Sequence, residues 1–454
     1  MKILIVNPLQ THLVSSKGKI YNRIWTPLSE ANCAALLEQE GHEVVIVDAN
    51  AERLDATEVA KRSTGFDKIF ITSSTIDRWQ CPVIDLNPFL NCVKVLKEIN
   101  DEVYITGAHG TVRPEEMLSL TGVQAVIRGE PELTVLELCR NSDLSRVRGI
   151  SYKSNGEYIH NNPQDLLDLE KLPVPAFHHL PMEKYYYEVL GRNFTLLEAS
   201  RGCTSRCTFC LLNMYGKKLR FKSPQQLINE LDTAINKFHV KNAYFMDLEF
   251  TINRNLVEAI CDYLIRKGYD FKWTCQTRLD LIDEKLLEKM KRSGCDLIHF
   301  GVEAANDKAL KALDKGMTVE KIETGMKMIK KAKIRSACFF LMGVYGSKEE
   351  DMQEITRFSM KLNPTYAIFH IAIPYPGTKF HSDVSCNGGF FSDGNLFPEA
   401  YVGDIPLESI KKAVRDAYIR FYFRFGYILS VMRLGHIKYF YWQIKLFLGF
   451  ISRK

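Results

Sequence analysis

The sequence predicts an α/β protein: an open, doubly wound sheet, then a (β/α) barrel of six units, then a helical tail. Three observations carry this. Residues 2–128 alternate short β-branched runs with helical stretches. A second alternation begins at Asn193 and continues to Ile373. Between them Pro163, Pro173, Pro175 and Pro181 punctuate a polar stretch.

The 454 residues exceed one ordinary domain. Hydrophobic residues make up 46% and charged residues 25%, the balance of a folded soluble protein. A net charge of +6 is a small excess, and a binding footprint would need charge clustered on one face, so no nucleic-acid partner is expected. The first residues, Met1 to Asn7, have one lysine, a short apolar run and no small-residue cleavage site. They read as a buried strand, so the 12 cysteines are expected to stay reduced in the cytoplasm. No uninterrupted apolar stretch is long enough to span a bilayer.

In the first region, 1–143, near-continuous apolar runs at 2–7, 43–48, 68–73, 102–106 and 124–128 predict parallel strands covered on both faces. Between the first two, Leu28, Ala31, Ala35 and Leu36 have helical spacing ahead of Gly41, a helix stop. Residues 144–192 read as a hairpin around Asn155-Gly156 followed by an extended linker. In 193–385, strands are predicted at 195–199, 242–246, 272–276, 297–301, 335–342 and 367–373, with helices such as 224–238 and 284–293 between them. Sheets and barrels of this kind carry their sites at the carboxyl ends of the strands. Residues 386–454 form the tail. From Ala417 onward it mixes aromatic residues with Arg and Lys. It suits either a helix packing its aromatic face on the barrel or one lying on a membrane surface.

Most cysteines stand singly in apolar surroundings, as small core residues do. One group is clustered: Cys203, Cys207 and Cys210, spaced C-x3-C-x2-C, directly after the first barrel strand. Three thiolates on one loop suit a soft metal centre. A structural zinc site needs four ligands in pairs, and no second C-x2-C pair exists. Three ligands on a four-iron cluster leave one iron open to chelate a substrate.

This motif, after a first barrel strand, resembles the signature of the radical S-adenosylmethionine (SAM) superfamily. The resemblance implies a (β/α)6 partial TIM barrel in which Cys203, Cys207 and Cys210 hold a [4Fe-4S] cluster. It also implies a set of SAM contacts. These are Phe209 within the motif, Asp247 and Glu249 after the second strand, and Gln276 and Arg278 after the third. Glu303 after the fourth strand and Pro374 after the sixth complete the set. Taken singly, Arg278 or Glu303 also reads as an ordinary ion-pair residue.

An open α/β sheet ahead of such a barrel is similar to the cobalamin-binding subclass. Ile105-Thr106-Gly107-Ala108-His109 and Arg128-Gly129-Glu130-Pro131-Glu132 each follow a strand and resemble that subclass's loops. The implied Rossmann-like domain would contact cobalamin through Thr72, Ser73, Ser74, Thr75, Trp79, Gly107, His109, Gly129 and Glu130. Small residues at strand ends let backbone approach a flat ring. The Asp-x-His-x-x-Gly motif that gives cobalt a histidine is absent. The loop bearing Trp79 is the candidate cover for that face, and an ordinary half-buried tryptophan is the other reading. A nucleotide-binding or vestigial sheet is the rival for the domain, although no G-x-G-x-x-G loop is present.

The resemblance implies a methyltransferase that moves a methyl group from SAM via methylcobalamin to an unactivated carbon. The substrate would be a small molecule or a lipid, and the electron donor external, of the flavodoxin or ferredoxin kind. The alternatives are a cobalamin-dependent cyclase or ring-rearranging enzyme, and a non-enzymatic iron–sulfur or cobalamin protein. Peripheral membrane contact through the tail would favour a lipid.

Overall fold

The computed structural model describes residues 1–10, 24–74, 85–386, 389–391, 396–398, 400–403 and 405–433. The N-terminal region builds one seven-stranded sheet in the order β2-β1-β3-β4-β5-β6-β7. Its strands are β1 (Lys2–Asn7), β2 (Glu43–Asp48), β3 (Lys68–Thr72), β4 (Val103–Thr106), β5 (Ala125–Ile127), β6 (Ile150–Ser154) and β7 (Glu157–His160). The first five pair in parallel, and the last two add antiparallel. Strands β3, β4 and β5 are wholly buried, as their unbroken apolar runs require. The hairpin, grouped with the linker on sequence grounds, therefore extends this sheet: Ile150 to Tyr152 register against Ile127 to Ala125. Its outer strand β7 has no fully buried residue, as suits the edge of the sheet.

The chain then passes through two short ribbon strands, β8 (Tyr186–Tyr187) and β9 (Gly191–Arg192). It enters the barrel at β10 (Phe194–Leu197). A two-residue ribbon, β11 (Ser200–Arg201) with β12 (Arg220–Phe221), brackets the cysteine loop. The barrel continues with β13 (Asn242–Phe245), β14 (Lys272–Thr277), β15 (Cys295–Glu303), β16 (Arg335–Met342) and β17 (Tyr366–Ile371). All six barrel strands are parallel and neighbour in sequence order. The helix expected at 224–238 ends at Asp232, and residues 233–237 form a π turn.

The linker seats against both units. Ala176 N donates to Ala31 O, and Tyr185 Oη donates to Asp48 Oδ2 at 2.7 Å. Trp25, just ahead of the first helix (Leu28–Gln39), packs among Tyr187, Phe194 and Tyr244 at the barrel. One apolar core consequently runs through both units.

The tail packs on the barrel as far as it is described. In the helix Leu407–Tyr422, Tyr418 and Tyr422 hydroxyls bond the backbone of Phe369 and Ala367, and Phe421 is fully buried. The second aromatic run, 439–445, lies outside the described residues. No helix among the described residues is long and apolar enough to cross a membrane.

Two predictions follow from this packing. Phe421→Ala should destabilise the fold by about 3–5 kcal/mol, as emptying a buried aromatic site does. Phe423→Ala, half exposed, should change the urea midpoint little. Burial pushes the Asp48 carboxyl up to about 6 against hydrogen bonds from Tyr185, Ala51 and Asn7. The folded chain thus holds a proton that the unfolded chain has released, and stability falls as pH rises through about 4 to 6. Asp48→Asn should flatten that part of a urea-midpoint profile against pH.

Candidate functional site between two strand-end edges

The cysteine loop leaves β10 through Glu198 to Gly202, and buried polar contacts fix its departure. Asp247, after β13, accepts from Ala199 N at 3.0 Å and from Ser200 Oγ at 2.5 Å. Burial pushes its carboxyl up to about 6, and the bonds from Ser200 and Ala199 oppose that. Arg201, fully buried, donates to Glu198, to Glu130 at 3.2 Å and to Glu132 at 2.6 Å. Gly202 has φ +87°, and a Cβ there would meet Lys218 O at 2.2 Å. Only glycine tolerates both conditions.

Cys203 is buried, and Cys207 and Cys210 are partly so. Burial raises the Cys203 thiol to about 11, with Glu249 adding to it. Burial also raises Cys207, while Lys315 pulls it down. Thiols so placed ionise on binding a cation, which couples proton release to metal assembly. Three thiols on one loop, with no second C-x2-C pair in the sequence, fit a multi-iron cluster rather than a four-ligand zinc site.

Around the loop, Ser205 Oγ donates to Glu249 at 2.6 Å. Arg278 donates to Asp280, Ser205, Lys315 O and Gly316 O, which occupies all five of its N–H groups. Glu303 sits at a bulge of β15 with φ +68° and pairs with buried Lys315 at 3.0 Å. A Cβ at Gly301 would meet Glu303 at 2.2 Å and Lys315 at 2.6 Å, so the pair depends on that glycine. Burial disfavours charge on Lys315, yet Glu303 and Cys207 outweigh it and raise its pKa. Phe209 lies 6.0 Å from the Lys315 ammonium. Gln276 is half-buried at the end of β14, and Pro374 is buried after β17.

The carboxyl edge of the N-terminal sheet meets this loop. Ala108 packs on Met214 and Tyr215. Thr111 Oγ1 lies 2.9 Å from Met214 sulfur and from Gly107 O, and accepts from Gly129 N at 3.0 Å. Gly107 and Gly129 have φ of +107° and +82°. Thr72 and Ser74 close a turn after β3, and the buried Ser74 hydroxyl has no hydrogen-bond partner among the described residues. His109 is buried, with Nδ1 3.1 Å from Ser73 Oγ and its ring stacked on Phe397. The strand order 2-1-3-4-5 reverses beside β1 and β3, where such sheets take ligands. Strand-end glycines and an orphan hydroxyl fit a large, flat, polar-rimmed ligand such as a corrin.

Comparison with known proteins agrees with both halves. Residues 197–359 match the Radical SAM superfamily and residues 21–139 the B12 binding domain. The chain is 31% identical to Uncharacterized methyltransferase PH0819 of Pyrococcus horikoshii, over 93% of each. The chain belongs to the cobalamin-binding class of the radical SAM superfamily. It is an enzyme of that class, and its cofactors are a [4Fe-4S] cluster, SAM and cobalamin. The fold is similar to that of OxsB with aqua-cobalamin and SAM bound, at TM-score 0.77 and 17% identity over 99% of this chain and 72% of that one. It is also similar to TsrM from Kitasatospora setae, at TM-score 0.68 and 16% identity over 87% and 76%. A further relative, Anaerobic magnesium-protoporphyrin IX monomethyl ester cyclase of Rubrivivax gelatinosus, is 25% identical over 83% of this chain and 68% of its own length.

Within this class several expected contacts have other duties. Both Glu130 carboxylate oxygens accept from arginines, Arg201 and Arg220, so Glu130 joins the two units. Asp247 holds the Ala199–Ser200 backbone, and Arg278 braces Ser205 against the 315–316 turn. Thr75 and Trp79 lie outside the described residues. Sequence reasoning missed Arg201, Lys315, Thr111 and Phe397. Of these, only Arg201 carried a local signal, its place beside the first cysteine.

Arg201→Ala would remove one buried cation shared by Glu130, Glu132 and Glu198, of which Glu130 would keep Arg220. It should cost about 3–5 kcal/mol, read by urea unfolding, and lower iron per chain after reconstitution. Full iron loading and unchanged stability would contradict this role.

Proposed function

We propose that this enzyme is a methyltransferase that moves a methyl group from SAM to an unactivated carbon of a small-molecule or lipid substrate. The observation that carries it is the abutment of the two edges. The cysteine loop reaches Ala108 and Thr111 through Met214 and Tyr215, so the loop that would hold the cluster adjoins the strand ends that would hold the corrin. The methyltransferase name of the 31% identical relative supports the same reading.

Cys203, Cys207 and Cys210 would hold the cluster, with Ser73, Ser74, Gly107, His109 and Gly129 nearest the corrin. When bound, these groups supply reductive cleavage of SAM and a methyl-carrying cobalt. The chain's own work is placement. Lys315 keeps a positive charge beside Cys207, which favours its thiolate. Arg278 fixes Ser205, and Ser205 orients the Glu249 carboxylate. The buried Arg201 cluster closes the seam between units, and this excludes water from reactive intermediates. No side-chain acid–base pair is required. An external flavodoxin- or ferredoxin-type donor would supply the electron.

The cyclase relative favours a second reading, radical ring closure without net methyl transfer. Anaerobic reconstitution with SAM and a reductant, followed by mass analysis, separates the two. Methyl transfer should yield both S-adenosylhomocysteine and 5′-deoxyadenosine, and Cys207→Ala should yield neither. Deoxyadenosine alone would select the second reading, and the absence of both products would sink the first.

A further inference from the structure

The helix Leu28–Gln39 and the linker turn Phe177–His179 bring three metal-ligating side chains together. His178 Nε2 and His179 Nε2 lie 2.9 Å and 2.7 Å from one atom, Glu38 Oε1. All three donor atoms fall within 4.8 Å of one another. The two imidazoles lie side by side, with ring centres 4.2 Å apart, and aim their Nε2 atoms at a common point.

We propose that Glu38, His178 and His179 form a site for a divalent transition metal of the zinc class. The point now held by Glu38 Oε1 is where a cation would bind both nitrogens. A small swing of the Glu38 side chain would turn its oxygen from hydrogen-bond acceptor into third ligand. Zinc takes imidazole at about 2.0–2.1 Å and carboxylate at about 2.0–2.2 Å, with water able to fill a fourth position. Two imidazoles and one carboxylate disfavour magnesium and calcium, which prefer all-oxygen sets. Burial would raise the Glu38 carboxyl, but hydrogen bonds from His178 and His179 outweigh it and keep the group anionic.

The ligands are held in place before any metal arrives. Phe177, beside His178, is fully buried and packs edge-on against Phe238 of the barrel unit. Ala176 N donates to Ala31 O one turn and more before Glu38 on the same helix. His179 N donates to Ala176 O, which closes the turn. Both ligand segments are therefore fixed, and a metal here would tie the N-terminal helix to the linker that leads into the barrel. Its role would be structural: it would fasten the N-terminal unit to the linker at a second place besides the Arg201 cluster.

The test uses the full chain with its iron–sulfur cluster assembled, so that the cysteines are occupied. Zinc is titrated against a chromophoric chelator, and metals are counted by mass spectrometry. We expect one zinc per chain beyond the iron. The double variant His178→Ala/His179→Ala removes two of the three ligands and should abolish the additional zinc, and Glu38→Gln should weaken its binding by at least about tenfold, the lower end of what even a ligand's outer partners contribute. Glu38→Gln keeps an acceptor for both imidazoles, so its fold and iron content should match the parent chain. Cobalt in the same site should give a nitrogen–oxygen spectrum without sulfur charge-transfer bands. Absence of zinc beyond the iron, undiminished binding in both variants, or cobalt bands from thiolate would each overturn the proposal.

Discussion

The structure depends on a single buried cation. Arg201 belongs to the loop that carries the first cysteine, yet two of its carboxylate partners, Glu130 and Glu132, belong to the other unit. Glu198 completes its shell, and Asn32 of the N-terminal helix reaches that same carboxylate at 3.1 Å. Arg220 shares Glu130, and Lys222 pairs with Glu230 at 2.5 Å and lies 4.0 Å from Glu198. Three cations thus face four carboxylates with almost no water. Burial works against charge on Arg201, but Glu132, Glu198 and Glu130 more than reverse it and drive its pKa well up. Such a network adds little net stability over an apolar core. What it adds is position, because each charge is tolerated only where its partners are.

That position is what the chemistry needs. A radical made at one cofactor must meet its target before water or stray hydrogen does, so the two cradles must hold a fixed separation. The ribbon β11–β12 sets the base of the cysteine loop, and Gly202 allows the loop to pass within contact of Lys218 O. Asp247 and Arg278 work on the same loop from later strands. These residues stand at strand ends, where both ligands and loop braces sit.

The fold was legible because its strands are near-continuous apolar runs, a pattern that parallel sheets impose directly. The cysteine trio was legible because its spacing is local. The hairpin's membership in the first sheet was not, since a polar edge strand reads the same whether it pairs onward or hangs in a linker. The ion network was not either. Arg201 and Glu130 are 71 residues apart, and no periodicity links an arginine to a glutamate across two domains. Phe397 was invisible for the same reason: a lone aromatic in a mixed tail gives no sign that it will stack on His109 and meet Tyr375 edge-on.

Glu130 shows where motif reading stops. A strand followed by Arg-Gly-Glu fixes backbone shape, with Gly129 supplying the positive φ that turns the chain at the sheet edge. It places a carboxylate within reach of whatever lies beyond that edge. In this chain the nearest partners are Arg201 and Arg220, so the carboxylate serves the seam between units. The same motif would read identically if those arginines were absent and the glutamate faced a ligand. Sequence therefore located the edge, and only the charges packed against it decided what each residue there does.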